Sequence, residues 1–368
     1  MRELILRMKK TNIQIQSNSN ESCVIDNLFH QASAHIEDAR NRVQRSINSE
    51  MVKAYWQIGK NIVNAEQLGE SKAQYGKFIL KELSERLTNK YGRGFSISTL
   101  KDIRQFYLTY SNAEMSHALR GQFESKIEPN LGWIHYRSLM RVDRLEARQF
   151  YTIEAIKNSW SGRELERQIN SLLFDRLARS KDKEGLLSLV HEGQEINKPE
   201  DAIKEPLILE FLGLPESNRL VESELEEAII NNLQKFLLEL GTGFSFIGRQ
   251  KRLTFDGDHF YADLVFYHVI LKCYVIIDLK TKKLSHADLG QMQLYVNYFD
   301  SEIKQENDNP TIGLVLCTQK SDEMAKYLLG DKAKQIFASK YQLHLPTEEQ
   351  LKKEIQKEVM EIKKYHGD

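Results

Sequence analysis

The sequence predicts an α+β protein: an all-α N-terminal half, then a core in which helices and strands alternate. Three observations carry this. Up to about residue 177, apolar residues recur at steps of three and four, as on amphipathic helices. From residue 244 onward, short apolar runs bounded by turn residues take over, as strands do. Between these regions lie charged stretches poor in large apolar side chains.

The 368 residues suggest two domains or slightly more. Mean hydropathy is −0.51 and 28% of residues are charged, which describes a soluble, helix-rich chain. The 52 basic and 52 acidic residues cancel, which argues against a wholly basic, histone-like binder. A local basic stripe would still suffice to meet phosphates. No window approaches 18 uninterrupted apolar residues, so no membrane span is expected. The first residues lack the apolar core of a secretory signal. Cys23, Cys273 and Cys317 lie far apart, and the latter two sit in apolar runs as expected buried thiols. A cytoplasmic location follows as an expectation.

The elements follow in order. Residues 1–22 end in Gln16-Ser17-Asn18-Ser19-Asn20-Glu21-Ser22, which builds no core, and are expected to be a disordered tail. A helical domain is expected over 23–182. Its first helix, 24–65, spaces Ile36, Val43, Ile47, Val52, Tyr55, Trp56, Ile58 and Ile62 at helical steps with one or two register shifts. A second, 75–91, carries Phe78, Ile79, Leu83 and Leu87 on one face. Gly92-Arg93-Gly94-Phe95-Ser96 makes a turn, and Ser96 or Ser98 caps a third helix over 99–110. Two helices about a glycine turn make a helix-turn-helix, with Lys90, Arg93, Lys101 and Arg104 as its basic edge, or an ordinary hairpin with a solvated face. Helices are expected over 131–142 and 146–158. Ser161 and Glu164 form a capping box that opens another, to about 177.

Residues 183–221 read as a linker, and 222–345 as the second domain. Residues 222–240 form an amphipathic helix stopped at Gly241-Thr242-Gly243. Strands follow over 244–255, 260–267 and 273–280, with Asp256-Gly257 as a hairpin signal. A helix (287–299), a strand (311–317), a helix (321–329) and a short strand (340–345) complete the core. Residues 346–368 are a charged closing helix. The core order is thus helix, three strands, helix, strand.

Chemistry concentrates at Asp278-Leu279-Lys280, which closes the apolar run Cys273-Tyr274-Val275-Ile276-Ile277. Asp263 sits within the preceding strand. Carboxylates and a lysine are costly to bury for structure alone. Alternation sets Asp278 and Lys280 on one face, about 6–7 Å apart along the strand. The short connection 268–272 lets Asp263 come beside Asp278. Two carboxylates that close repel each other, and a divalent cation is the ordinary remedy. Mg²⁺ is held by one or two carboxylates plus a substrate phosphate and keeps several waters, one of which can attack phosphorus. Lys280 would lower the pKa of that water or steady the charge that develops, and the Leu279 carbonyl would be a further ligand. The bland alternative is a salt-bridge cluster at a strand end.

In this context Asp263…Asp278-Leu279-Lys280 resembles the PD-(D/E)XK nuclease superfamily, and Gln291-Met292-Gln293-Leu294-Tyr295 matches the QxxxY motif of its RecB-like branch. The resemblance is closer still to the YhcG-like bacterial family. It extends through Phe236 to Phe244, Gly248-Arg249-Gln250, Asp263 to His268 and Gly290-Gln291-Met292. In the helical half it includes Tyr55-Trp56-Gln57-Ile58-Gly59, Tyr91 to Ser96 and Trp160 to Leu165, so it covers roughly 25–355. It implies a restriction-endonuclease-like core and a helical domain that binds DNA or a protein partner. By position, Asp263 and Asp278 would hold the metal and Lys280 would be the catalytic lysine. Gln291 and Tyr295, four residues apart on one helix face, would orient the site or contact the nucleic-acid backbone. The superfamily often adds a first-helix glutamate. Glu226 is the choice and Glu222 the runner-up. Ala262 stands where the superfamily name expects proline, and Val269 stands where relatives are expected to carry a basic residue.

Arg249 and Arg252 on the first strand are expected to face phosphates. His259 and His268 are expected not to be ligands, for want of a third soft ligand. Trp56, Trp133 and Trp160 are expected in the core. No GxxxxGK[ST] loop is present, which argues against an NTPase. The expected function is a Mg²⁺-dependent endonuclease, a hydrolase acting on DNA, with Mn²⁺ able to substitute and a homodimer expected from the need to cut two strands. The alternatives are a non-catalytic DNA-binding or scaffold protein on a nuclease fold, and a partner-activated defence effector.

Overall fold

The helical spacings read between 24 and 177 form helices, the last of them broken at Ser171-Leu172, in the computed structural model, which describes residues 2–67, 74–112, 127–178, 183–215, 220–255, 257–319 and 335–346. The helix expected at 321–329 lies outside these residues, as does all but the first residue of 346–368. The chain divides into two units, Met1–Met140 and Arg141–Asp368.

The first unit holds α1 (Arg2–Gln67), α2 (Gln74–Tyr91), α3 (Ile97–Asn112) and α4 (Trp133–Leu139). Helix α1 reaches back to Arg2, so the stretch expected as a disordered tail is helical. Extending a formed helix adds a hydrogen bond for each residue ordered. Val52, Trp56 and Ile62 of α1 are buried with Leu80, Leu100, Ile103, Phe106 and Tyr136. Phe106 is the hub: its ring lies 5.6 Å from Trp56, 5.5 Å from Trp133 and 5.2 Å from Tyr136. Helices α1 and α3 meet at Gly59, where an added Cβ would stand 2.5 Å from the Ile103 carbonyl oxygen. Ile36, Val43 and Ile47, spaced at helical steps with Val52, are exposed while Val52 is buried. Periodicity marks an apolar face but not what covers it. Ser96 is the cap of α3, its Oγ accepting from Thr99 N at 3.2 Å.

The second unit opens with α5 (Leu145–Lys157), α6 (Gly162–Asn170), α7 (Leu173–Ala178), α8 (Lys183–Glu192), α9 (Pro199–Ala202) and β1 (Leu207–Ile208). The capping box forms as read: Ser161 Oγ accepts from Glu164 N, and Glu164 Oε2 accepts from Ser161 N at 2.7 Å. The core follows with α10 (Glu222–Asn231), α11 (Leu233–Leu240), β2 (Phe244–Phe255), β3 (Asp258–His268), β4 (Cys273–Leu279), α12 (His286–Tyr298), β5 (Ile312–Cys317) and β6 (Ile336–Gln342). The single helix expected over 222–240 breaks at Asn232. The sheet order is β1-β6-β5-β4-β3-β2. Strands β2, β3 and β4 are antiparallel neighbours, while β4, β5, β6 and β1 run parallel. One face packs on Leu225, Ile229, Phe236 and Leu240 of α10 and α11, and the other on Leu289, Met292, Tyr295 and Val296 of α12. Both faces of β4 are therefore covered, which explains its unbroken apolar run. Helix α12 is drawn tight against β5 at Gly313, where a Cβ would meet Met292 Sδ at 2.6 Å.

Two boundary expectations need correction. Of the expected linker 183–221, residues 183–215 are packed rather than free, and the helices from 145 to 178 pack with the sheet. Glu154 Oε1 accepts from Gln194 N at 2.7 Å, Leu189 and Val190 are buried, and β1 adds to the sheet edge beside β6. The tie is ionic. Glu239 on α11 is fully buried, with Arg176 Nη1 at 2.6 Å and Arg167 Nη1 at 3.0 Å, and its Oε1 also accepts from Ile208 N at 2.9 Å. Arg167 holds Glu210 as well, at 2.9 Å. Burial alone would raise the Glu239 carboxyl, but Arg176, Lys204 and Arg167 outweigh it and hold it low. Hydropathy counts these residues as solvent-seeking because it cannot register that they pair.

Removing one partner of such a network leaves buried charge behind. Glu239→Ala is expected to lower the unfolding free energy by about 3–5 kcal/mol in urea denaturation. A loss under about 1 kcal/mol, the scale of an exposed pair, would refute the network's role.

Candidate active site

The antiparallel ladder between β3 and β4 runs from His268↔Cys273 to Leu264↔Ile277 and stops there. At the next position a side chain replaces the backbone acceptor: Asp263 Oδ2 accepts from Leu279 N at 2.8 Å. That bond ties the Asp263 carboxylate to the strand that carries Asp278. On the far side β4 stays paired with β5, Asp278 against Val315, and Lys280 N donates to Leu316 O at 2.7 Å. This fixes the backbone direction at Lys280. Its Nζ lies 2.8 Å from Asp278 Oδ2 and 3.9 Å from Glu222 Oε2.

Asp278 is only 2% exposed. The Lys280 ammonium is the positive charge that faces Asp278 Oδ2, and among the described residues no other donor reaches this buried oxygen. Burial first, and the Asp263 carboxylate second, push the Asp278 carboxyl up to about 7, against the pull of Lys280. Lys280 moves upward too: burial works to lower it, but Asp278, Glu222 and Asp263 outweigh that and favour the ammonium.

Both first-helix acids face this region, one turn apart on α10. Glu222 faces Lys280. Glu226, nearly buried, reaches Asp263 through Gln250, whose Nε2 donates to Glu226 Oε2 at 2.6 Å and to Asp263 Oδ1 at 3.2 Å. Gln250 stands across the β2–β3 hairpin from Asp263, between the pairs Arg249↔Leu264 and Lys251↔Ala262, in the left-handed region at φ +49°. Gln250 carries no expected role in the sequence. A lone glutamine does not announce a left-handed backbone, so only its position opposite Asp263 could have flagged it.

Of the two roles expected for Gln291 and Tyr295, orienting the site or contacting the nucleic-acid backbone, burial leaves Tyr295 the first. Tyr295 is 1% exposed; its hydroxyl takes the Gln291 amide and donates to the Tyr261 carbonyl at 3.1 Å. It anchors α12 to β3 two residues before Asp263. Arg249 and Arg252 are exposed along β2 on either side of Gln250. Arg93 and Lys101 are exposed in the first unit, but Arg104 is held by Glu66 at 2.6 Å. Lys101 and Arg104 line an open cleft of about 700 Å³ shared with Glu66 and Asp102, so its charges are mixed. His268 is buried, its Nδ1 accepting from Leu271 N at 3.1 Å, and His259 lies beside Thr254.

Among the described residues, no three His, Cys, Asp or Glu side chains are grouped as a finished metal site. The donors at the end of β4 nevertheless suit one. Asp263, Asp278 and Glu226 offer hard oxygens, and Asp278 Oδ2 is buried with Lys280 as its one charged neighbour of opposite sign among the described residues. A hard divalent cation answers both features.

Known proteins bear on this arrangement. Residues 200–359 match the family described as YhcG PDDEXK nuclease domain, and residues 31–176 match the DUF1016 N-terminal domain. A relative titled "Putative nuclease YhcG", from Escherichia coli strain K12, is 38% identical over 349 residues, 89% of this chain and 92% of that protein. Two solved structures, a repair endonuclease from Pyrococcus abyssi and EndoMS in apo form, align at 18% identity with TM-score 0.24. Each alignment covers 36% of this chain and about half of the other, 50% and 49%. No helix among the described residues is long and apolar enough to cross a membrane. With its two halves matched in order and most of its length aligned to one relative, the chain belongs to the YhcG family of PD-(D/E)XK nucleases.

Proposed function

We propose that this protein is a Mg²⁺-dependent endonuclease that hydrolyses phosphodiester bonds of DNA. One observation carries the proposal: Asp263, tied to Leu279 N, and the ion-paired Asp278 and Lys280 meet at the end of β4 in the region matched to a nuclease family. Asp263 and Asp278 would hold the cation, with the Leu279 carbonyl as a further ligand and Mn²⁺ able to substitute. When bound, the cation supplies charge neutralisation and Lewis acidity at the scissile phosphate.

The chain's own groups do the rest. Lys280, kept charged by its acidic neighbours, stabilises negative charge on the reacting phosphate and does not act as a base. Gln250 holds Glu226 and Asp263 in register before substrate arrives. Gln291 and Tyr295 position β3. Arg249 and Arg252 bind backbone phosphates beside the cut, and Arg93 and Lys101 contribute contacts from the helical unit. Two buried free thiols, Cys273 and Cys317, accord with a reducing, cytoplasmic compartment.

A panel of duplex, single-stranded and branched DNA and of RNA, with Mg²⁺, Mn²⁺ or EDTA, tests the reading. Cleavage of DNA that needs the cation is expected, with Lys280→Ala reducing it at least about 100-fold. Cleavage of RNA alone would overturn the substrate assignment. Salt-sensitive DNA binding without any cutting would favour a scaffold.

Cation binding needs the Asp278 carboxylate, which loses its proton as pH rises through about 7. Calorimetric Mn²⁺ affinity should therefore climb about tenfold per pH unit below 7 and flatten above it. A pH-independent affinity between 5 and 8 would contradict the burial argument. Gln250→Ala should weaken Mn²⁺ binding about 10–100-fold while leaving the fold intact by circular dichroism. Unchanged affinity would reduce Gln250 to a structural contact.

A further inference from the structure

The N-terminal part of α1 carries an apolar stripe with no cover among the described residues. Ile25, Phe29, Ile36 and Val43 are 64%, 66%, 53% and 60% exposed, whereas Val52 on the same helix is 0%. With Ala32 and Ala39, also exposed, these residues step by four, three, four, three and four. That is the 3.5-residue repeat of a coiled-coil seam, sustained for almost three heptads over about 27 Å of helix. After Val43 the next exposed apolar residues, Ile47 and Met51, follow at steps of four, and the stripe drifts off the seam.

The order of side chains along the seam favours a particular partner. Read outward from its middle, large and small residues match under reversal: Ala32 against Ile36, Phe29 against Ala39, and Ile25 against Val43. A second copy laid antiparallel would fill each layer with one large and one small or medium side chain. A parallel, in-register copy would stack Ala32 on Ala32 and Ala39 on Ala39 and leave voids beside a crowded Phe29 pair. Antiparallel pairing is also isologous, so the same surface serves both copies and the assembly closes at two. The charges allow the approach. Arg40 is paired with Glu37 at 3.0 Å and Arg42 with Asp38 at 2.9 Å within the helix, so neither presents an uncompensated charge beside the seam.

We propose that this face of α1 is a dimerisation surface, and that two copies of the chain pair through residues 25–43 as an antiparallel coiled coil. The proposal stands independently of the nuclease reading.

The full chain tests it by sedimentation equilibrium at micromolar concentration. Wild type should be a dimer, and Phe29→Asp and Ile36→Asp should each be monomers with unchanged far-UV circular dichroism, since both positions are exposed. In a Cys23→Ser background, Ser33→Cys flanks the seam at its centre and should form a disulfide-linked dimer on mild oxidation, whereas Glu37→Cys, on the outer side, should not. A monomeric wild type would overturn the proposal and leave the stripe to another segment or a different protein. A dimer untouched by both aspartates would overturn it too, as would a Ser33→Cys dimer that fails to cross-link.

Discussion

A carboxylate is buried at the end of β4, and much of the second unit exists to keep it there. Asp278 sits in a strand covered on both faces, by α10 and α11 on one side and α12 on the other. Burial strips water from it, Asp263 adds like charge, and Lys280 only partly offsets both. A fold selected only for stability would replace such a group, because apolar side chains of similar volume serve at least as well. The surrounding bonds hold the strain in place. The β3–β4 ladder ends one residue early so that Asp263 can take the Leu279 amide, and the β4–β5 ladder continues one residue further so that Lys280 turns back toward Asp278.

A second buried charge organises the rest of the unit. Glu239 lies at the meeting point of α6, α7, α11 and β1, and its neutralisation by Arg167 and Arg176 draws the helices after residue 141 onto the sheet. The two carboxylates illustrate opposite outcomes of burial. Glu239 is surrounded by donors and held well below the usual carboxylate range, whereas Asp278 is under-supplied and pushed up to about 7. The first is settled as structure. The second keeps a demand for positive charge that a cation can meet.

Much of this was legible in the residue order. The element sequence of the core could be read because strands buried on both faces give unbroken apolar runs, and an acid inside such a run stands out. What escaped reading has physical causes. The extent of the second unit was missed because paired charges look like solvent-seeking ones. For Tyr295 the residue order leaves both an orienting role and a backbone contact open, and packing decides between them: a phenol whose hydroxyl bonds a backbone carbonyl is content in a core. Gln250 went unassigned because its left-handed backbone is set by the hairpin, not by its side chain. Whether the apolar face of α1 is buried was not legible either, since helical spacing is the same whether the cover lies within the chain or outside it.

The most direct test of the site is where a cation settles. Anomalous diffraction at the manganese edge, on crystals of Lys280→Ala protein soaked in Mn²⁺, would locate it without turnover. The account predicts one strong peak at inner-coordination distance, about 2.0–2.2 Å, from carboxylate oxygens of both Asp263 and Asp278. A peak elsewhere, or none at a concentration that saturates binding in solution, would contradict it.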